Sequence, residues 1–256
     1  MTKVSTPRIA SLVPSITELL VDLGLQNELV ARTGFCVHPA EVVVKIPKVG
    51  GTKTVNLDKL RALAPTHCIV NIDENELPTV NAIREFVPHV IVTHPNAPED
   101  NLALFRQLGA LFNREREAQA LCSALAKKLS EIKPGAPERV LYLIWRNPYM
   151  TVARDTYISR MLALVNWHTV PDVTGGEVGA ARYPAVTLTE PWMQGVDRVL
   201  LSTEPYLFNP QHVSELKLLL EHPKVQLIDG EMCSWYGSRA IKGVEYLSNF
   251  IKTETA

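Results

Sequence analysis

Hydrophobic and polar residues alternate along this chain in two rhythms. Short, nearly continuous apolar runs at 8–13 (RIASLV), 29–33, 67–72, 89–93, 139–145, 149–153, 197–202 and 225–228 predict buried strands. Between them, apolar residues recur at threes and fours, predicting helices over 15–23, 56–64, 78–86 and 99–111, another from 155 to about 165, and further helices opening at Asn209 and Ser238. The punctuation fits this reading. Ser15-Ile16-Thr17-Glu18 has the form of a capping box, Gly24 a stop, and Asn56, Asp155 and Asn209-Pro210 the form of helix starts. The segments 34–51, 167–186 and DGEMCSWYG at 229–237 read as loops.

The most regular stretch is 113–133. Ala118, Leu121, Cys122, Leu125, Leu129 and Ile132 make one apolar stripe. Asn113 suits the N-cap, Glu115 and Glu117 the first turns, and Lys127, Lys128 and Lys133 the end, before Pro134-Gly135 stops it. At about 1.5 Å per residue the helix spans roughly 30 Å. Two readings stand: a crossover helix inside one α/β domain, or a rod joining two α/β lobes. Either way, strand–helix alternation predicts mainly parallel sheets covered on both faces.

A chain of 256 residues has room for one large domain or two of ordinary size, and 46% hydrophobic residues suffice for a core. The net charge of −1 and the lack of a basic run give no reason to expect nucleic acid as a partner. Membrane insertion is not expected, because no apolar run is long enough to cross a bilayer. Cys36, Cys68, Cys122 and Cys233 form no CxxC pair and no disulfide framework. The first residues, MTKVSTPRIASLV, carry no export signal, so the sequence as it stands reads as cytoplasmic, and as periplasmic if a leader was removed.

Phosphate-loop, dinucleotide, hydrolase-elbow and zinc-protease motifs are absent. Gly50-Gly51-Thr52-Lys53-Thr54 only superficially resembles a phosphate loop. Cys36, His38 and His94 lie in loops and could ligate a soft metal, or serve as ordinary polar loop residues. Phe35, Trp145, Tyr183, Tyr206, Trp235 and Tyr236 fall at strand ends or in loops, which suits a broad, flat, partly apolar ligand. Arg146, Arg154 and Arg182 lie near them and could hold carboxylates, amides or phosphate, or form surface ion pairs. The turn Asn71-Ile72-Asp73-Glu74-Asn75-Glu76 could attract a cation or simply open a helix.

RIASLVPSITELL, IPKVGGTKTVNLDKLRALAPTH, RVLYLIWRNPYMTVARDTYISRML, ARYPAVTLTE and LIDGEMCSWYGSRAIKGVEYL, in this order and spacing, resemble the helical-backbone metal receptors. These are the class III periplasmic-binding-protein family, and the likeness is greatest to its cobalamin-binding branch. The resemblance implies two Rossmann-like lobes, 1–112 and 136–256, joined by one long helix over 113–135, with a ligand cleft between them. It implies binding and delivery without catalytic residues and without an intrinsic cofactor. The ligand would be cobalamin (vitamin B12) or a related metal chelate, and the partner an ABC-transporter permease if the protein is exported. Phe35 matches an aromatic contact of cobalamin binders, Thr52 a position where a cleft tryptophan occurs, and Glu231 and Trp235 the loop on the corrin side. With the residue reading this gives a candidate ligand site of Ser15, Phe35, Gly51, Thr52, Trp145, Arg146, Arg182, Tyr183, Glu231, Trp235 and Tyr236, with Ser15 and Gly51 as backbone donors. Asp58 and Glu190 match the acidic residues that dock with permease arginines. The alternative is an intracellular metal or tetrapyrrole chaperone, or an enzyme, on the same scaffold.

Overall fold

The structure, a computed structural model, describes residues 6–255. The chain divides into two compact units. The first runs through Pro95 and takes in Asp100–Leu125 and Tyr236–Arg239; the second comprises Asn96–Glu99, Ala126–Trp235 and the chain from Ala240 onward.

In the first unit the order is β1 (Ile9–Ser11), α1 (Pro14–Asp22), β2 (Leu29–Arg32), α2 (Ala40–Val43), α3 (Leu57–Ala62), β3 (His67–Asn71), α4 (Leu77–Arg84), β4 (His89–Thr93), α5 (Asp100–Phe112) and the first turns of α6 (Glu115–Glu131). Its four strands pair in parallel in the order β2-β1-β3-β4. Parallel pairing needs a crossover between neighbours, and the helices provide it. Ala10, Ala31, Cys68 and Val70 from the sheet, with Leu12 just after β1, pack with Val80 and Ile83 of α4 in one apolar cluster. The stacked rings of His67 and His89, 4.7 Å apart, lie at the start of β3 and β4 with Phe112 edge-on, and burial followed by the neighbouring imidazole lowers the His67 pKa.

The second unit holds the last turns of α6, then β5 (Glu138–Leu143), β6 (Tyr149–Met150), α7 (Tyr157–Ala163), β7 (Trp167–Thr169), β8 (Ala185–Val186), β9 (Arg198–Ser202), α8 (Pro210–Leu219), β10 (Lys224–Ile228), α9 (Gly230–Ser234) and α10 (Arg239–Thr255), of which Arg239 belongs to the first unit. Its main sheet is again four-stranded and parallel, in the order β10-β9-β5-β7, with β6 and β8 forming a small antiparallel pair. Leu141, Leu143, Val199, Leu201 and Val225 pack with Phe208 and Leu216. Arg198 is buried in β9, where Glu138 takes two of its N–H groups, Gln226 another, and the Trp167 ring lies under the guanidinium.

Several sequence expectations are corrected. Ser15-Ile16-Thr17-Glu18 forms no capping box: extended Val13 holds the N-cap position without a side-chain bond, Pro14 opens α1, and Glu18 is ion-paired with Arg239. Asn113 does not cap α6. It takes a left-handed conformation (φ 54°) that ends α5, and the following amide of Arg114 donates to Gly109 O. Asparagine tolerates that conformation better than most residues. Asp155 is not the cap of α7; Thr156 is. The segment 167–186, read as irregular, contains β7 and β8, and the loop 229–237 contains the short α9, capped by Asp229. The caps at Asn56 and Asn209 are as expected, the latter in a capping box with His212.

Candidate functional site

In a parallel sheet the loops after the strand C-termini share one edge, the usual place for a ligand. In the first unit that edge carries Phe35, a residue 62% exposed. A buried arginine holds its loop. Arg32 Nε donates to Val43 O (2.6 Å), and Nη1 donates to Thr33 O and Cys36 O (both 3.0 Å). Gly51 packs against the Phe35 ring, but its amide donates to Thr54 O (3.1 Å) and is not a free donor, contrary to expectation. The carbonyl of Thr52 accepts from Asn75 Nδ2 (3.0 Å), which also reaches Leu12 O (3.3 Å). Asn75 thus ties together the segments after β1, after β3 and around Thr52. Asn71 completes the turn, donating to Thr93 O and accepting from the Asp73 amide, both at 2.8 Å. The turn that reads as acidic in sequence is therefore built by its asparagines.

Ser15 and Tyr236 lie in the interior of the first unit. Burial, then the charge of Glu74, pushes the Tyr236 phenol well above its ordinary range, against the hydroxyls of Ser15 and Thr93. The expected metal set is not assembled. Among the described residues no three His, Cys, Asp or Glu side chains come together to hold an ion. The Cys36 thiol is buried against Thr33 Oγ1 (3.2 Å), and burial raises its pKa, which disfavours a thiolate ligand. His94 Nε2 faces the Asp73 carboxylate at 3.5 Å, and His38 is half-buried just before Pro39. Asp58 is exposed in the first turn of α3.

In the second unit the corresponding edge carries Trp145, 41% exposed, with its ring edge-on to Tyr206 at 5.6 Å. Tyr206 in turn leans on Phe208 and His212. Arg146 is taken by Glu215 (2.8 Å). Arg182 is a buried structural residue: Nη1 donates to Gly176 O and Nη2 to Asn96 Oδ1, both at 2.7 Å. Tyr183 follows it, half-buried. Asp155 accepts from the amides of Gly175 and Gly176 (both 2.8 Å); burial opposes its charge, but these two donors and nearby Arg182 lower its pKa overall. Glu190 accepts from Thr187 N, Thr187 Oγ1 and Trp192 Nε1, which depresses its pKa.

Glu231 lies in the first turn of α9. Trp235 follows α9 with only 8% of its surface exposed, its indole N–H donating to Glu204 Oε1 at 2.7 Å. Sequence reasoning missed Glu204. Burial raises its carboxyl pKa and the charges of Glu231 and Asp229 add to this, while donors from Ser234 and Trp235 oppose it. The sequence signal was the only acidic residue in the loop after β9, directly before Pro205.

A family model described as periplasmic binding protein matches residues 9–177. An uncharacterized ABC transporter substrate-binding lipoprotein, YvrC of Bacillus subtilis, is 22% identical over 97% of this chain and 81% of its own length. A vitamin B12-binding protein of Pectobacterium atrosepticum is 22% identical over 61% of this chain and 59% of that protein. Among solved structures, the vitamin B12-binding protein BtuF of Vibrio cholerae superposes with a TM-score of 0.76 at 17% identity, covering 97% of this chain and 98% of that one. The heme-binding protein HutB of the same organism gives 0.77 at 19%, covering 96% and 99%. At such identities the structural matches establish the fold alone.

Proposed function

Because this chain belongs to the periplasmic binding protein family, whose members bind solutes and are not enzymes, we propose that it is the substrate-binding protein of an ABC-type importer and that its ligand is a corrinoid, cobalamin foremost. The observation that carries the proposal is the pair of exposed aromatics, Phe35 and Trp145, one on the C-terminal edge of each unit's parallel sheet. A broad, flat chelate with apolar faces matches such surfaces. The charges favour a corrinoid over a haem. A haem presents carboxylates that need cations, yet Arg146 is engaged by Glu215 and Arg182 is buried, while Glu204, Asp229 and Glu231 add negative charge to the second unit's edge. A corrinoid rimmed with neutral amides meets no such mismatch.

The partner on this reading is a membrane permease, with exposed Asp58 as a docking carboxylate. Glu190 is the weaker of the two matched acids, because three local donors already occupy it. The protein then acts on the side of the membrane from which the ligand is imported.

Calorimetric and visible-absorbance titration with cyanocobalamin, haem and a ferric siderophore tests the ligand. One-to-one saturable binding of cyanocobalamin, with haem much weaker, is expected. Tight haem binding without cobalamin binding refutes the ligand class. Phe35→Ala and Trp235→Ala are each expected to weaken cyanocobalamin binding about tenfold or more, and unchanged affinity in both refutes the site.

A further inference from the structure

We infer that Glu204 is a positioning residue for the ligand site: it fixes the Trp235 ring by clamping the end of α9 to the loop after β9. The inference rests on the reading that Trp235 contacts the ligand.

The clamp is visible in the hydrogen bonds. Glu204 Oε1 accepts from both Ser234 Oγ and Trp235 Nε1, each at 2.7 Å. Bonds of that length to a carboxylate are charge-assisted, about twice as strong as neutral ones. An indole has one N–H, so a bond there sets the orientation of the whole ring. The acceptor is itself held. Ser202 Oγ donates to the backbone carbonyl of Glu204 (2.6 Å), and Tyr142 Oη donates to Ser202 Oγ (3.0 Å) from inside the sheet. Gly230 lets the two segments meet, because a Cβ there would lie 2.5 Å from Ser202 Oγ and 2.6 Å from Glu204 Cγ.

The arrangement is costly for the carboxylate. It is largely buried, and Asp229 and Glu231 repel its charge. A group kept under those conditions, with both described donors on the α9 segment, does more than fill space. The same loop continues through Pro205 to Tyr206, the residue that props Trp145. Glu204 therefore stands at the root of both aromatic surfaces of the second unit.

The test measures cyanocobalamin affinity of Glu204→Ala, Glu204→Gln, Trp235→Ala and the double alanine variant against the wild type. Glu204→Ala is expected to lose about tenfold or more, Glu204→Gln to stay within about threefold because its amide oxygen still accepts, and the double variant to bind like Trp235→Ala. Wild-type affinity in Glu204→Ala, with Trp235→Ala weakened, overturns the inference and leaves the ligand reading intact. Full additivity of the two losses also overturns it. Wild-type affinity in Trp235→Ala, or no cyanocobalamin binding by the wild type, overturns the ligand reading and the inference with it. Should Glu204→Ala fail to fold, the Trp235 indole N–H resonance decides. It is expected to move in Glu204→Gln and to follow pH only in the wild type, and a resonance indifferent to both overturns the inference.

Discussion

The buried pair of Glu18 and Arg239 offers the sharpest test of what holds the first unit together. Arg239 Nε donates to Glu18 Oε2 at 2.6 Å, and each side chain is 7% exposed. Two ions taken out of water in this way carry a desolvation cost that their mutual attraction offsets, so removing one leaves the other buried without that attraction. Glu18→Gln keeps the shape and removes the charge. Breaking a buried pair costs about 3–5 kcal/mol. At about 2–4 °C per kcal/mol for a chain of this size, the midpoint should fall by about 6–20 °C. Urea unfolding followed by far-ultraviolet circular dichroism gives the free energy. If the two units melt separately, only the first unit's transition should move. Glu18→Leu combined with Arg239→Met should recover much of the loss, because it removes both charges. A loss below about 1 kcal/mol in Glu18→Gln would show that the pair behaves like a solvated surface bridge and would refute the argument.

Four further outcomes follow from local geometry. Gly50 has φ 108°, and a Cβ there would meet Thr54 O at 2.2 Å, so Gly50→Ala should cost on the order of 1–3 kcal/mol in urea unfolding and weaken ligand binding through neighbouring Phe35. Asp155 has a lowered carboxyl pKa, so its stabilisation is present above the ordinary carboxylate value and is lost as pH falls through the folded value. The gap between wild type and Asp155→Asn in thermal melts should therefore close in acid. Glu204 has the opposite sign: its raised pKa means the folded state binds the proton more tightly, so the wild type should gain stability relative to Glu204→Gln as pH drops from neutral through the carboxylate range. Cys36, Cys68, Cys122 and Cys233 are all buried, with Cys68 pushed up to about 12 by burial, so a thiol reagent at neutral pH should label the native protein only as fast as it unfolds.

Much of this fold was legible because its strands are short, nearly continuous apolar runs and its helices carry one apolar stripe. His67–Asn71 and His89–Thr93 read as strands because their apolar runs end at polar breaks. Trp167–Thr169 did not, since three residues with exposed His168 in the middle show no periodicity; it is the register with β5 that makes them a strand. Capping motifs misled where a side chain had a tertiary partner. Glu18 satisfies the capping pattern, yet Arg239, over two hundred positions away, claims it. The candidate site was half legible for the same reason. Phe35 and Trp145 announce themselves as aromatics in loops. The working state of Arg146 and Arg182 depends on Glu215 and Asn96, whose positions no local spacing reveals. Glu204 escaped notice because one acidic residue before a proline reads as turn chemistry.

The first unit is finished by residues from near the end of the chain. Arg239 closes the charge on Glu18, and the amide of Gly237 donates to Asn101 Oδ1 at 2.5 Å. During synthesis, then, the amino-terminal sheet leaves the ribosome without the Arg239 partner of Glu18 and waits for it until position 239 has been made. Folding domain by domain from the amino end, the common order for nascent chains, is interrupted here. A fragment ending before Tyr236 lacks both the Arg239 guanidinium and the Gly237 amide, so it should be a poor folder and a ready chaperone client. The order of the segments thus delays the locking of the first unit until these late residues arrive.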